Sequence, residues 1–189
     1  MSQPARKIRG RPSSREAMLD AAQALVVSDG AARFTLDAVA KRAGVSKGGL
    51  MYNFPTKEAL LKAMLERLVT HNAAAHAALT ERLPDKPGRS LKAYVMNSVR
   101  AIDDDDRVSA ALLAAVANDP GLLKPASDYF AQRFAKLSRD VPFERAALVY
   151  LATEGLWTLE LLKMLPFNAR QRARIVRHLL KLADEGTDE

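Results

Sequence analysis

Thr35-Leu36-Asp37-Ala38-Val39-Ala40-Lys41-Arg42-Ala43-Gly44-Val45-Ser46-Lys47-Gly48-Gly49-Leu50-Met51-Tyr52-Asn53-Phe54-Pro55-Thr56-Lys57 is the stretch from which the rest of the chain is read. Leu36, Val39, Ala40 and Ala43 recur at helical spacing. Gly44 then interrupts, as glycine does where a helix ends on a left-handed residue. Ser46 can cap a second, short helix that turns Leu50 and Phe54 inward. Helix, tight turn, helix is the shape of a helix-turn-helix, whose second helix enters the major groove of DNA.

The outward face of the second helix carries the chemistry. Ser46, Lys47, Gly48 and Gly49 open it with almost no bulk. Each glycine inside a helix costs about 1 kcal/mol relative to alanine, so packing alone would favour alanine. Close approach to base edges is a reason to keep these positions small. Lys47 can donate to guanine O6 and N7 or to phosphate, and Tyr52 offers a hydroxyl to a phosphate oxygen. Thr56 can cap a following helix, and Lys57 then lies where that helix's N-terminal dipole favours an anion.

The run from Phe34 to Leu61, above all TLDAVAKRAGVSKGGLMYNFPTKEALL, resembles the N-terminal domain of the TetR/AcrR family of bacterial transcriptional repressors. The resemblance covers about a quarter of the chain. It implies a three-helix DNA-binding domain, a variable helical ligand-binding domain, and a homodimer on a palindromic operator. It makes Thr35 a phosphate contact at the start of the second helix. It puts Ser46, Lys47 and Gly48 where the recognition helix meets bases and backbone, and matches Tyr52 and Lys57 to phosphate contacts. Two positions depart from the pattern. Met51 stands where a second aromatic is frequent, and Asn53 where histidine is usual. The Asn53 amide can still donate to phosphate, whereas Met51 suits packing or a thymine methyl.

A chain of 189 residues, 48% hydrophobic and 27% charged, has the composition of a soluble globular protein. Without cysteine, disulfides and thiolate metal sites are excluded. A net charge of +7 suits an anionic partner, and Arg6, Lys7, Arg9, Arg11 and Arg15 all precede the first acidic residue, Glu16. The basic N-terminus is followed by no apolar targeting core. The most apolar stretch, Ala146 to Leu165, contains Glu154 and Glu160. Charges at a membrane-helix centre cost roughly 2.5–3.5 kcal/mol each, so this stretch reads as a buried helix in a cytoplasmic, nucleoid-associated protein with no membrane partner.

The expected architecture is all-α, with about nine helices. Residues 1–12 form a flexible basic arm, 13–57 the helix-turn-helix domain, and 58–189 a helical effector-binding and dimerisation bundle. Arg9 and Arg11 on the arm either enter the minor groove or add only general attraction to DNA. Ser13 and Glu16 form a capping box for the first helix. A long fourth helix from Thr56 towards Leu83 links Lys57 to the second domain and is the natural lever between the two. His71 and His76 on it lack metal-site spacing and read as surface or packing residues. Beyond the loop Pro84–Gly88, helices are expected over 90–102, 108–117, 122–138 and 143–165, the last ended by Pro166, and then from Asn168 onward. Breaks fall at Asn118–Gly121 and Asp140–Pro142. Asp103–Asp106 reads as a solvated loop whose last member caps a helix, since a calcium loop needs spaced ligands and a glycine.

The eighth helix is apolar nearly all round, and the ninth carries the stripe Ile175, Val176, Leu179, Leu180 and Ala183. Together they suggest a four-helix dimer interface. Tyr94, Phe130, Glu154 and Trp157 are the candidate effector contacts, with Glu154 able to meet a cationic or hydroxylated ligand or an arginine of the same chain. No catalytic, metal or cofactor site is assigned: no Glu-x-x-His pair, nucleophile elbow or phosphate-cradling glycine loop occurs. The reading is therefore a repressor that a small-molecule effector releases from double-stranded DNA. An effector-independent architectural DNA-binding protein and a helical enzyme are the alternatives.

Overall fold

A computed structural model of the chain describes residues 14–29, 34–116 and 120–184. The basic arm with Arg9 and Arg11, the Ser13 half of the first capping box, Gly30, and the Asn118-Asp119 part of a break lie outside the described residues. The described residues form nine α-helices and no strand: α1 (Ser14–Asp29), α2 (Leu36–Ala43), α3 (Lys47–Asn53), α4 (Lys57–Arg82), α5 (Arg89–Ser98), α6 (Asp104–Val116), α7 (Pro120–Leu137), α8 (Phe143–Leu161) and α9 (Ala169–Asp184). None of these helices is long and apolar enough to cross a membrane. Two compact units meet in sequence inside α4, between Met64 and Leu65.

In the first unit α1 packs on α2, and α2 on α3. The core is built from Met18, Leu19, Ala22, Leu25 and Val26 of α1, Phe34, Val39 and Ala40, Leu50 and Phe54. Leu60, Leu61 and Met64, from the first turns of α4, complete the set of buried side chains. Burial of such residues contributes about 1.5–3 kcal/mol each. Local signals set the turns. The Thr35 hydroxyl accepts from Ala38 N–H at 3.2 Å and starts α2. Gly44 ends α2 at φ +68°, in the left-handed region that glycine enters without steric cost. The Ser46 hydroxyl then accepts from Gly49 N–H at 3.1 Å and starts α3.

In the second unit α5 packs against α8 and α9, which also pack on each other, while α6 and α7 pair alongside. Leu91, Tyr94, Val95, Leu137, Ala146, Val149, Leu179 and Ala183 form its core cluster, with Ile175 and Leu180 against it. Gly88 precedes α5 at φ +81°, and a methyl group there would lie 2.1 Å from the Ala183 carbonyl oxygen. Here glycine is required twice over, by its backbone angle and by the close approach of α9. Lys86 and Lys92 clamp the same corner by pairing with Asp184 at 2.8 and 3.0 Å. Those two donors hold its carboxyl below the usual aspartate range.

Three boundaries besides the start of α6 differ from the sequence expectation. α5 ends at Ser98 rather than at Ile102, because the chain turns there towards the aspartates. α7 begins at Pro120, so the second half of the expected break is helical, as proline at a first helical position allows. α8 stops at Leu161, before Pro166 is reached. Lys163 takes φ 56°, its N–H donates to Glu160 C=O at 3.0 Å, and Met164 N–H donates to Leu159 C=O at 2.8 Å. This pair of bonds is a Schellman stop, built on a lysine where glycine is usual.

The aspartate run is also not the solvated loop expected. Asp103 and Asp106 form a reciprocal capping box, each side chain accepting the other's N–H, at 2.9 and 3.1 Å. Asp104, Asp105 and Asp106 occupy the first turn of α6, where the helix dipole favours negative charge. Asp106 itself is buried.

Candidate nucleic-acid interface and ligand cavity

The short helix α3 holds most of the residues expected to meet DNA. Ser46, Lys47, Gly48, Met51 and Tyr52 are exposed, and Tyr52 is 89% exposed, an aromatic ring that nothing in its own unit covers. A methyl group added at Gly48 would meet open space, whereas one at Gly49 would press on the Ser46 hydroxyl at 3.2 Å. Among the described residues, packing thus gives the glycine at 49 a close neighbour and the one at 48 none. Thr35 is exposed at the mouth of α2, its hydroxyl engaged as the cap.

Three side chains of this face have partners that the sequence did not announce. Lys47 Nζ lies 3.0 Å from a carboxylate oxygen of Asp37 on α2, an exposed ion pair of the kind that contributes little to stability. Asn53 donates its side-chain N–H to the Gly49 carbonyl at 3.1 Å, which commits one of its two amide hydrogens to its own helix. Lys57 Nζ stands 5.7 Å from the centre of the Phe34 ring. Arg15, unassigned from the sequence, stacks 5.2 Å from the centre of Phe54. The Thr56 hydroxyl caps α4 by accepting from Ala59 N–H at 3.1 Å.

The second unit contains a cavity of about 610 Å³, within the usual range for small-molecule sites. Tyr94, Phe130, Glu154 and Trp157, the four candidate contacts, all line it. Glu154 finds an arginine of its own chain, since Arg133 donates to it at 3.0 Å and the Tyr94 hydroxyl donates to the same oxygen at 2.5 Å. The Arg133 guanidinium lies 4.6 Å from the centre of the Tyr94 ring and 5.8 and 5.9 Å from those of Tyr150 and Tyr129. Tyr94 and Tyr150 stack at 5.5 Å, and Phe134 braces Tyr150 edge-on at 5.4 Å.

The electrostatics follow from this packing. Burial, then the Glu154 charge, pushes the Tyr94 hydroxyl well above its ordinary range, and the same causes push Tyr150 up to about 12. Burial alone would lower the Arg133 guanidinium, but Tyr94 and Glu154 more than offset that, so it stays charged. One turn along α8 from Glu154, Trp157 donates its indole N–H to Asp106 at 2.8 Å, and Arg100 pairs with the same carboxylate at 2.8 Å. Burial works to raise the Asp106 carboxyl, yet the bonds from the Asp103 backbone, Trp157 and Arg100 outweigh it and hold it below its usual range.

Arg133 and Asp106 are the residues sequence reasoning missed. A signal for the first was present: Tyr129 and Arg133 are four apart on α7, and Tyr150 and Glu154 four apart on α8, so each pair shares a helix face. His71 bonds to Asp105 and His76 to the Ser90 carbonyl. A second, more open concavity of about 560 Å³ is lined by Val99, Arg100, Glu160 and Arg172. Arg172 there is already committed to Glu160 and to the Val99 carbonyl.

On α8, Leu148 and Leu151 are each 66% exposed and Leu162 at its end is exposed as well. Gly155 lies on the same stripe with open space where a side chain would be. α9 instead spends its apolar side on the core and exposes Arg170, Arg174, Arg177, His178 and Lys181.

Comparison with known proteins agrees with this geometry. Residues 18–64 match the sequence model for bacterial regulatory proteins of the tetR family, and residues 88–184 match that of the tetracyclin repressor-like C-terminal domain. The HTH-type transcriptional regulator BetI of Serratia proteamaculans is 27% identical over 181 residues, spanning 87% of this chain and 89% of that one. A Saccharomonospora viridis protein solved in complex with choline shares the fold at a TM-score of 0.74 and 17% identity, over 93% of this chain and 97% of its own. The multidrug binding protein EbrR, solved with ethidium, does so at 0.67 and 23%, over 90% and 98%. With its N-terminal helices matched by one of these family models and more than half of its length by the other, the chain belongs to the tetR family of bacterial regulatory proteins and is a DNA-binding transcriptional regulator.

Proposed function

We propose that the protein acts as a homodimeric repressor that leaves a palindromic operator when a small organic molecule fills the cavity of its second unit. The observation that carries the DNA half of this reading is Gly48, a helix glycine that packing inside the chain does not require. Beside it, Ser46 and Lys47 meet bases and backbone, Tyr52, Thr35 and Lys57 bind phosphates, and Asn53 donates its remaining amide hydrogen to one. Arg9 and Arg11 add minor-groove or general electrostatic contacts. Residues 13–57 thus form the DNA-binding domain and 58–189 the effector and dimerisation domain, acting in the cytoplasm on the nucleoid.

The dimer forms through α8 and α9. Support comes from the exposed Leu148, Leu151 and Leu162, with Gly155 between them to let a partner helix approach closely. In such a dimer the two recognition helices meet successive major grooves about 34–36 Å apart. The effector reading draws on the cavity, on its polar pair Glu154–Arg133, and on relatives of the same fold solved with choline and ethidium, both organic cations. An effector releases DNA only as far as it prefers the released conformation over the bound one.

Selection of bound sequences from a random duplex pool tests the reading. Enrichment of a palindrome with half-sites about one helical turn apart supports it and supplies the operator for effector screening. Unselective, salt-sensitive binding overturns it in favour of an architectural protein.

A further inference from the structure

We infer that Tyr94, Tyr129, Tyr150 and Glu154 form a subsite for an organic cation and that Arg133 is its resident stand-in, which an arriving cation displaces. The inference rests on reading the cavity as the effector site. What the four residues present is a carboxylate with three aromatic rings, an arrangement that attracts cations through charge and ring quadrupole together. The chain itself demonstrates the preference, because the group held there is a guanidinium, within 6 Å of all three ring centres and 3.0 Å from the carboxylate.

Arg133 holds Glu154 through one nitrogen, not through the two-pronged grip that makes arginine–carboxylate pairs strong. It is therefore placed in the box more by the rings than by a locked ion pair. An anion would find nothing comparable among these four residues. The Tyr94 hydroxyl already donates to Glu154, and the adjacent carboxylate cancels the field of the guanidinium. A cation entering as Arg133 leaves conserves charge inside the cavity and returns the guanidinium to water. Since Arg133 belongs to α7 and Glu154 to α8, the exchange also breaks a direct tie between those helices. That broken tie is a contact difference between filled and empty states, which a population shift needs.

The test uses the full chain with choline and ethylguanidinium as probes and titration calorimetry as readout. Arg133→Ala empties the box, so it should bind choline at least ten-fold more tightly than the unchanged protein. Ethylguanidinium, a copy of the missing head group, should bind this variant more tightly than it binds the unchanged chain. Adding Glu154→Gln should remove the gain. An Arg133→Ala protein of intact helical content that binds choline no better than the unchanged chain overturns the inference. Should that variant fail to fold, the unchanged protein still decides. The Arg133 side-chain N–H signal, displaced by the rings around it, should return to its free position as choline saturates. A signal that stays put at saturation, or no choline binding at millimolar concentration, overturns the inference. Operator release separates the two readings. A ligand that frees the operator while the Arg133 signal stays fixed sinks the stand-in and keeps the effector role. Displacement of Arg133 with operator affinity unchanged keeps the subsite and sinks the effector role.

Discussion

On α3 and its surroundings, the polar contacts join residues close in sequence: Ser46 to Gly49, Gly49 to Asn53, and Asp37 to Lys47 ten positions away. Around the cavity they join residues 21, 51 and 60 positions apart: Arg133 to Glu154, Asp106 to Trp157, and Tyr94 to Glu154. The first region can be assembled by a short segment and displays its chemistry outward. The second exists only when α5, α6, α7 and α8 have all docked. Substitutions at the closed corner of the second unit should therefore unfold structure, while substitutions on α3 should change DNA binding and leave folding intact.

The largest effect should come from Gly88→Ala. Its methyl group would lie 2.1 Å from the Ala183 carbonyl oxygen, and φ +81° is unfavourable for any other residue. Overpacking of this kind costs about 1–3 kcal/mol, and a strained left-handed residue about 1–2 kcal/mol more. Urea unfolding should show the loss in the second unit, with near-native signals from α1 to α3 in solution NMR. A wild-type urea midpoint would show that α9 does not need this close approach.

Asp106→Ala should rank next. It strips the partly buried Trp157 indole of its acceptor and Arg100 of one of its three, and a donor left unpaired away from water costs about 1–3 kcal/mol. Trp157 is the only tryptophan, so its fluorescence should report the change directly. The carboxyl is held below its usual range in the folded state. Its stabilisation is thus complete above the unfolded value near pH 4 and fades as pH falls towards the lower folded value. Asp106→Asn should flatten the acid limb of the stability profile. A limb of unchanged steepness would assign it to other carboxylates, Asp184 first.

These two regions differed in legibility for the same reason. Gly44, Ser46 and Thr56 were readable because a cap is a contract between residues three or four apart, and each reappears with its bond in place. Glu154 could be singled out as a polar residue in an apolar helix, and its cavity neighbours Tyr94, Phe130 and Trp157 as aromatics. Its partner was harder to read, because the i, i+4 pairs Tyr129–Arg133 and Tyr150–Glu154 each mark one helix face but do not say that the two faces meet. The Asp103–Asp106 run misled because four like charges suggest water, while the burial of one of them, Asp106, depends on Arg100 and on Trp157 of α8. The end of α8 misled because proline is a visible stop and Lys163 is not.

On the outward side, the two lysines should part company. Lys57→Ala should weaken binding to every duplex and flatten the salt dependence by about one unit of log K per log salt. Lys47→Ala should instead cost about 1–3 kcal/mol of discrimination between operator and random DNA if the lysine reads a base. Equal losses on both duplexes would reduce Lys47 to a phosphate contact. If Lys47 exchanges Asp37 for DNA, Asp37→Asn should tighten binding to operator and random DNA alike.

Gly48→Ala has the smallest effect on folding and the sharpest meaning. Alanine in place of an exposed helix glycine should stabilise α3 by about 1 kcal/mol, since it removes backbone freedom from the unfolded chain. Apart from its chain neighbours and the backbone of its own helix, no atom of the described residues lies within 4 Å of the added methyl, so none of them opposes that gain. If the glycine is there to bring the helix backbone against DNA, the same substitution should weaken operator binding while raising the melting temperature. Opposite signs from one methyl group would establish that the position is held for the partner and not for the fold. A variant both more stable and equally tight on the operator would move the close approach elsewhere on α3, and Gly49, whose added methyl would meet the Ser46 cap, would be the next position to test.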